Sequence, residues 1–112
     1  MLEAAPQARI VLTTAANSEE AERLARTLVE ERLAACATFI DSAHSIYRWQ
    51  GQIETSNETL LLLKTGADCL AALEARLHEL HSYQTPEFLV LAVDAGSHAY
   101  LDWLGASLRP VS

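Results

Sequence analysis

The run from Cys36 to Thr65 sets the tightest limit on how this chain can fold. CATFIDSAHSIYRW and QIETSNETLLLLKT are rich in β-branched, aromatic and aliphatic residues, lack a helical period, and are separated only by Gln50-Gly51. A two-residue linker of this kind closes a β-hairpin, with glycine supplying a positive φ. Each arm exceeds ten residues, about twice the common strand length of ~5–6. In a 112-residue chain such arms overhang the rest of the domain, and their ends leave unpaired backbone edges. A second copy of the same chain is the simplest cover for them.

The segments around the hairpin are shorter and alternate in type. IVLTT (Ile10 to Thr14) reads as a buried strand. Residues 18–34 carry Ala21, Leu24, Ala25 and Leu28 at helical spacing, after Asn17 and Ser18 as competing N-caps and with Glu20 completing a capping box. Gly66 to His81 returns to that spacing through Leu70, Leu73, Leu77 and Leu80. FLVLAV (Phe88 to Val93) is a second buried strand, Asp94 to Gly96 a turn, and Ser97 to Leu108 a final helix. The fold class is therefore α+β: a ferredoxin-like βαββαβ sandwich with a long hairpin of the second and third strands and a C-terminal helix. Residues 1–8 read as a flexible N-terminus and residues 9–112 as one domain.

The net charge of -7 and a single lysine, Lys64, exclude a phosphate-binding surface and with it a nucleic-acid partner. The longest apolar run, Leu60 to Leu63, falls far short of the ~18 residues of a membrane span. MLEAAPQAR lacks the basic and apolar regions of a signal peptide, so the chain is expected to be cytoplasmic, with Cys36 and Cys69 as thiols.

Candidate chemistry is sparse. The stretch HSYQTPE, with His78 and Glu79 just upstream, gathers imidazoles and carboxylates. On a helix, Glu74, His78 and His81 fall at i, i+4 and i+7, a spacing that suits a shared cation. Equally, His81 can favour the C-terminal dipole of its helix. Cys36, where helix gives way to strand, is either a buried small hydrophobe or a soft ligand for copper(I). The first strand–helix loop, TTAANSE, has no cysteine, which excludes a CxxC copper site, and no arginine for a phosphate loop. Ser45, Ser56 and Ser82 lie in no GxSxG elbow. The chain is not expected to be an enzyme. Tyr47 and Trp49 share one face of the hairpin at i, i+2, either as an interface anchor or ligand wall or as cross-strand packing.

SIYRWQGQIE, ETLLLLKT, ERLAAC, HSYQTPE and YLDWL occur together in the order and spacing of one family. The chain resembles the CutA divalent-cation tolerance proteins over roughly residues 9–107. The resemblance implies a homotrimer of PII-like architecture, in which the hairpin of one subunit pairs with the sheet of the next. It implies a link to metal tolerance, with copper or another divalent metal ion as the ligand and none obligatory. By position, the inter-subunit cleft would involve Tyr47, Trp49, Glu58, Lys64, Tyr83 and Glu87, with Cys36 and His81 as metal ligands. A scaffold or signalling trimer that binds a small ligand is the alternative. The family often reads HPYEVPE where this chain has Ser82 and Gln84, and often Asn and Pro where it has Thr38 and Asp41. The carboxylate lost at Gln84 weakens a hard-cation site, and Asp41 adds an oxygen donor.

Overall fold

The computed structural model describes residues 1–110; residues 111 and 112, at the end of the domain read from the sequence, lie outside it. The elements run β1 (Leu2–Ala4), β2 (Ala8–Ala15), α1 (Ser18–Glu30), β3 (Cys36–Trp49), β4 (Gln52–Gly66), a single 3₁₀ turn (Ala67–Cys69), α2 (Leu70–Leu80), β5 (Leu89–Ala92), β6 (Ala95–Ser97) and α3 (His98–Ala106). The main sheet is antiparallel in the order β3-β4-β2-β5, the order a split βαβ repeat gives. Beyond the expected elements, β1 pairs with β6 in a second, two-stranded sheet.

The β3–β4 hairpin turns at Gln50 and Gly51, both left-handed at φ 51° and 79°, which is the two-residue turn that matches strand twist. From Trp49↔Gln52 to Ala43↔Glu58 the pairing runs as that turn dictates. Between Ile40 and Ala43 it slips by one residue, with Ser42 at φ 65°. This bulge gives β3 one residue more than β4. It therefore places Cys36 opposite Lys64, where an unbroken ladder would bring Thr65. The hairpin projects past the helices, and the chain measures 46 × 26 × 22 Å.

The helices cover one face of the sheet. Val11 and Ala15 of β2, Leu61 and Leu63 of β4, Leu24 and Leu28 of α1 and Leu73 and Leu77 of α2 form one buried cluster. Alternation along β4 explains the choice, since Leu61, Leu63 and Thr65 point to the helices while Leu60, Leu62 and Lys64 point away. Thr65 Oγ1 donates to the Leu33 carbonyl at 2.7 Å, which satisfies a buried hydroxyl. Arg76 of α2 grips Glu31 through two parallel bonds of 3.0 and 2.9 Å. The other face carries Ile40, Leu89 and Leu91, each about half exposed.

Helix α1 is shorter than its apolar pattern. Asn17, not Ser18, is its N-cap, accepting from the Glu20 N–H at 2.9 Å. At the other end, Leu33 N–H reaches the Leu28 carbonyl and Arg32 N–H that of Val29, so the helix closes in a Schellman turn. Residues 31–34 were expected to be helical; the left-handed Arg32, at φ 59°, ends the helix before them. Glycine is the favoured residue there. Arg32→Gly is accordingly expected to raise stability by about 0.5 kcal/mol, the relief of αL strain exceeding the added chain entropy. A higher urea midpoint at unchanged slope would register it.

Leu2–Ala4 belong to the stretch read as a loose end, and they are held as strand by Ser97, Gly96 and Ala95. Neither LEA nor AGS has strand propensity, so this pairing comes from tertiary proximity.

Candidate functional site

The residues singled out in the sequence fall into three places. At the base of the hairpin stands Glu58, 8% exposed and opposite Ala43. The loop between α2 and β5 brings Tyr83 to it, and the phenol donates to Glu58 Oε2 at 2.8 Å. Burial, then this bond and the charge of Glu58, push the Tyr83 phenol well above its ordinary range, with the charges of Glu20 and Tyr47 adding to the effect. Glu87, in the same loop, has its carboxyl raised by burial and by the Glu58 charge. Thr59 next door donates to Asp41 of the bulge at 3.3 Å. Two carboxylates and a phenol thus converge in a half-buried corner. Among the described residues, no arginine or lysine forms an ion pair with either carboxylate.

A raised carboxyl fixes the sign of a pH effect. The contribution of Glu87 is most favourable below its unfolded value and is lost as pH rises through the higher folded one. At neutral pH its charge opposes folding. Glu87→Gln is expected to be more stable than the parent at pH 7 and to flatten the loss of stability as pH rises from the ordinary carboxylate value through the raised one. Urea midpoints measured across that range check it.

The second place lies at the other end of the same strands. Lys64 Nζ donates to Thr38 Oγ1 at 3.1 Å and approaches Cys36 Sγ at 3.8 Å. Lys64 is six residues along β4 from Glu58, or roughly 20 Å at ~3.3 Å per residue. One subunit therefore does not join the Cys36 thiol to the Glu58 corner.

The third is the free end of the hairpin. Tyr47 is opposite Glu54 and Trp49 opposite Gln52, each ring a little over 40% exposed. Tyr47 Oη bonds Ser56 Oγ at 2.9 Å. The two rings neither stack on each other nor close a pocket within the chain. On the opposite face of the same ladder, Ile46 and Ile53 are also exposed.

His81 does not share a flank with Glu74 and His78. It caps α2 with extended backbone, at ψ 143°, and turns its ring fully inward, whereas Glu74 and His78 remain exposed. Its Nδ1 accepts from the Tyr83 N–H at 3.0 Å, and its Nε2 lies 2.7 Å from the Thr14 carbonyl. A carbonyl only accepts, so Nε2 carries the hydrogen, and both nitrogens are engaged. To ligate a metal the ring would have to give up one of these bonds.

Two groupings had no local signal. Glu20, 4% exposed, accepts from Ala16 N–H, Ser82 N–H and Ser82 Oγ at 3.0, 2.8 and 3.0 Å. Burial pushes its carboxyl up, but these bonds outweigh that and hold it below its ordinary value. Glu3, His98 and Asp102 form the one set of three donors, among the described residues, close enough to share an ion. His98 lies 2.9 Å from Glu3 and 3.1 Å from Asp102 through its two nitrogens. The bond to Glu3, then the Asp102 charge, raise its pKa. Carboxylates at both ring nitrogens favour the imidazolium, a proton that a metal would have to displace.

Comparison with known proteins converges on one family. A family model described as CutA1 divalent ion tolerance protein matches residues 9–107. The divalent-cation tolerance protein CutA of Pectobacterium atrosepticum is 45% identical over 100 residues, covering 89% of this chain and 91% of that protein. CutA from Synechococcus elongatus superposes with a TM-score of 0.93 at 41% identity, over 97% of this chain and 96% of that one, and has also been solved complexed with a Bis-Tris molecule. The Archaeoglobus fulgidus protein, named a periplasmic divalent cation tolerance protein, gives a TM-score of 0.88 at 31% identity, over 91% and 99% of the two chains.

Proposed function

The chain belongs to the CutA1 divalent ion tolerance family, and from that premise we propose that it is a cytosolic, PII-like homotrimer that binds a divalent cation, copper among them, in clefts completed by a neighbouring subunit. The role is one of binding, not catalysis. The observation that carries this reading is the Glu58 corner. Glu58 and Glu87 are close enough for the charge of one to raise the other, and Tyr83 is the only side chain bonded to Glu58 among the described residues. A corner with two acidic groups and no protein cation is suited to a cation from outside.

Assembly is supported by what the single chain leaves uncovered. Ile40, Leu89 and Leu91 on the open sheet face and Ile46, Tyr47, Trp49 and Ile53 on the hairpin are all more than 40% exposed. So much apolar surface on a small domain marks an interaction face. Pairing a hairpin with the next subunit would bring Tyr47 and Trp49 to a foreign Glu58 corner, and Cys36 and Lys64 towards the same cleft. The cytosolic placement rests on Cys36 and Cys69 both being free thiols.

Sedimentation equilibrium with calorimetric titration of copper(II) tests the proposal. A trimer binding copper saturably, with affinity reduced by Glu58→Gln, is the expected result. A monomer at micromolar concentration would refute it. The Bis-Tris complex of the Synechococcus protein favours a second reading, in which the trimer takes a small organic ligand and metal is incidental. That reading predicts weak, unselective copper binding.

A further inference from the structure

Glu20 accepts more bonds than a helix start requires. At the start of α1 its carboxylate accepts through Oε1 from Ala16 N–H, one residue before the Asn17 cap. Its remaining capacity goes to one residue 62 positions away: Ser82 Oγ on Oε1 and Ser82 N–H on Oε2. The Arg23 guanidinium, 3.7 Å from Oε2, is the nearest cation and is largely exposed. A carboxylate only 4% exposed is costly to keep unless its acceptors are used. Here every bond beyond the first fastens the end of α2.

What Ser82 fastens is the start of the loop that forms the Glu58 corner. The next residue is Tyr83, whose N–H is held by His81 and whose phenol meets Glu58. From His81 to Phe88 the backbone has no helix or strand to fix it. Three side-chain anchors do so instead: His81 to Thr14, Ser82 to Glu20 and Tyr83 to Glu58. The first two set the position and direction from which Tyr83 leaves α2.

We propose that Glu20 is the positioning residue of the Glu58 corner, setting the Tyr83 phenol on Glu58 through its two hydrogen bonds to Ser82. This rests on the binding role given to that corner, yet the contact itself can be tested without any ligand. Ser82→Ala, which keeps the Glu20 charge, and Glu20→Gln are the informative changes. In Glu20→Gln the amide oxygen can still accept from Ala16 N–H and Ser82 Oγ, but the NH₂ group cannot accept from Ser82 N–H, so the backbone half of the clasp fails while the shape is kept.

The readout is tyrosinate formation, followed by ultraviolet absorbance during alkaline titration of the full chain. Of the three tyrosines, one is expected to ionise well above the ordinary value of about 10, and Tyr83→Phe to remove that late component. Ser82→Ala is expected to bring it down by on the order of one pH unit, because a phenol released from its buried seat regains water; Glu20→Gln is expected to lower it further, since the Glu20 charge itself also raises the phenol. Asn17→Ala, which weakens the start of α1 without touching Ser82, is expected to leave it in place. A late component unmoved by Ser82→Ala, or moved equally by Asn17→Ala, would overturn the proposal. Should Glu20→Gln fail to fold, Ser82→Ala decides. Copper(II) affinity unchanged in Tyr83→Phe would instead count against the binding role and leave the clasp intact.

Discussion

Glu58→Gln is expected to weaken copper(II) binding by about 10- to 100-fold with little change in fold. The amide oxygen can still accept from the Tyr83 phenol, so the 2.8 Å contact that seats the loop survives. What disappears is the charge. An interaction with a charged group contributes about 1.5–3 kcal/mol, and every 1.4 kcal/mol is tenfold in affinity. The same change takes away a charge that raises both the Tyr83 phenol and the Glu87 carboxyl, so both are expected to titrate lower. Glu58→Ala is less informative, since it leaves the phenol without its partner. Calorimetry on the two variants separates charge from seating. Equal affinity for parent and Glu58→Gln would remove this corner from the metal site.

Leu61→Ala is expected to cost about 3 kcal/mol, within the 2–5 kcal/mol usual for a large-to-small change in a packed core. Leu61 is fully buried and lies on β4, paired with Thr13 on one side and Phe39 on the other. Two rigid ladders fix its backbone, so the surroundings can collapse little into the space. A thermal midpoint lower by about 12 °C or more, at ~4 °C or more per kcal/mol, checks it. Leu60, its neighbour on the uncovered face, is the contrast. Leu60→Ala is expected to change the stability of a lone chain far less and to act on assembly.

The hairpin, the order of elements and the leucine stripes could be read in the sequence because each is a local signal repeated several times. Register could not. The turn at Gln50-Gly51 sets pairing only as far as the bulge, and Asp41-Ser42 has no glycine to announce one. The partner of Cys36 is decided there, so its closeness to Lys64 was not visible from the spacing. HSYQTPE misled through its periodicity. The wheel that aligned Glu74, His78 and His81 assumes helix through position 81, but the backbone leaves the helix there and the ring turns inward. The clasp of Glu20 on Ser82 joins groups 62 residues apart, and one residue of each type gives no pattern to find. The same holds for Glu3 and His98, 95 residues apart.

The long hairpin also bears on the order in which the molecule forms. Its ladder closes from a two-residue turn outwards, each new pair lying next to the last, and such local zipping takes microseconds. Pairing β2 with β5 instead joins Arg9 to Ala92, a closure across most of the chain and therefore slower. During synthesis the hairpin is complete before β5 has emerged, with Ile46, Tyr47, Trp49 and Ile53 already on its surface. In the assembly proposed above these side chains wait for another chain, so maturation would end in an encounter whose rate depends on concentration. At low expression the half-made molecule is the longer-lived species and the one exposed to proteases and chaperones.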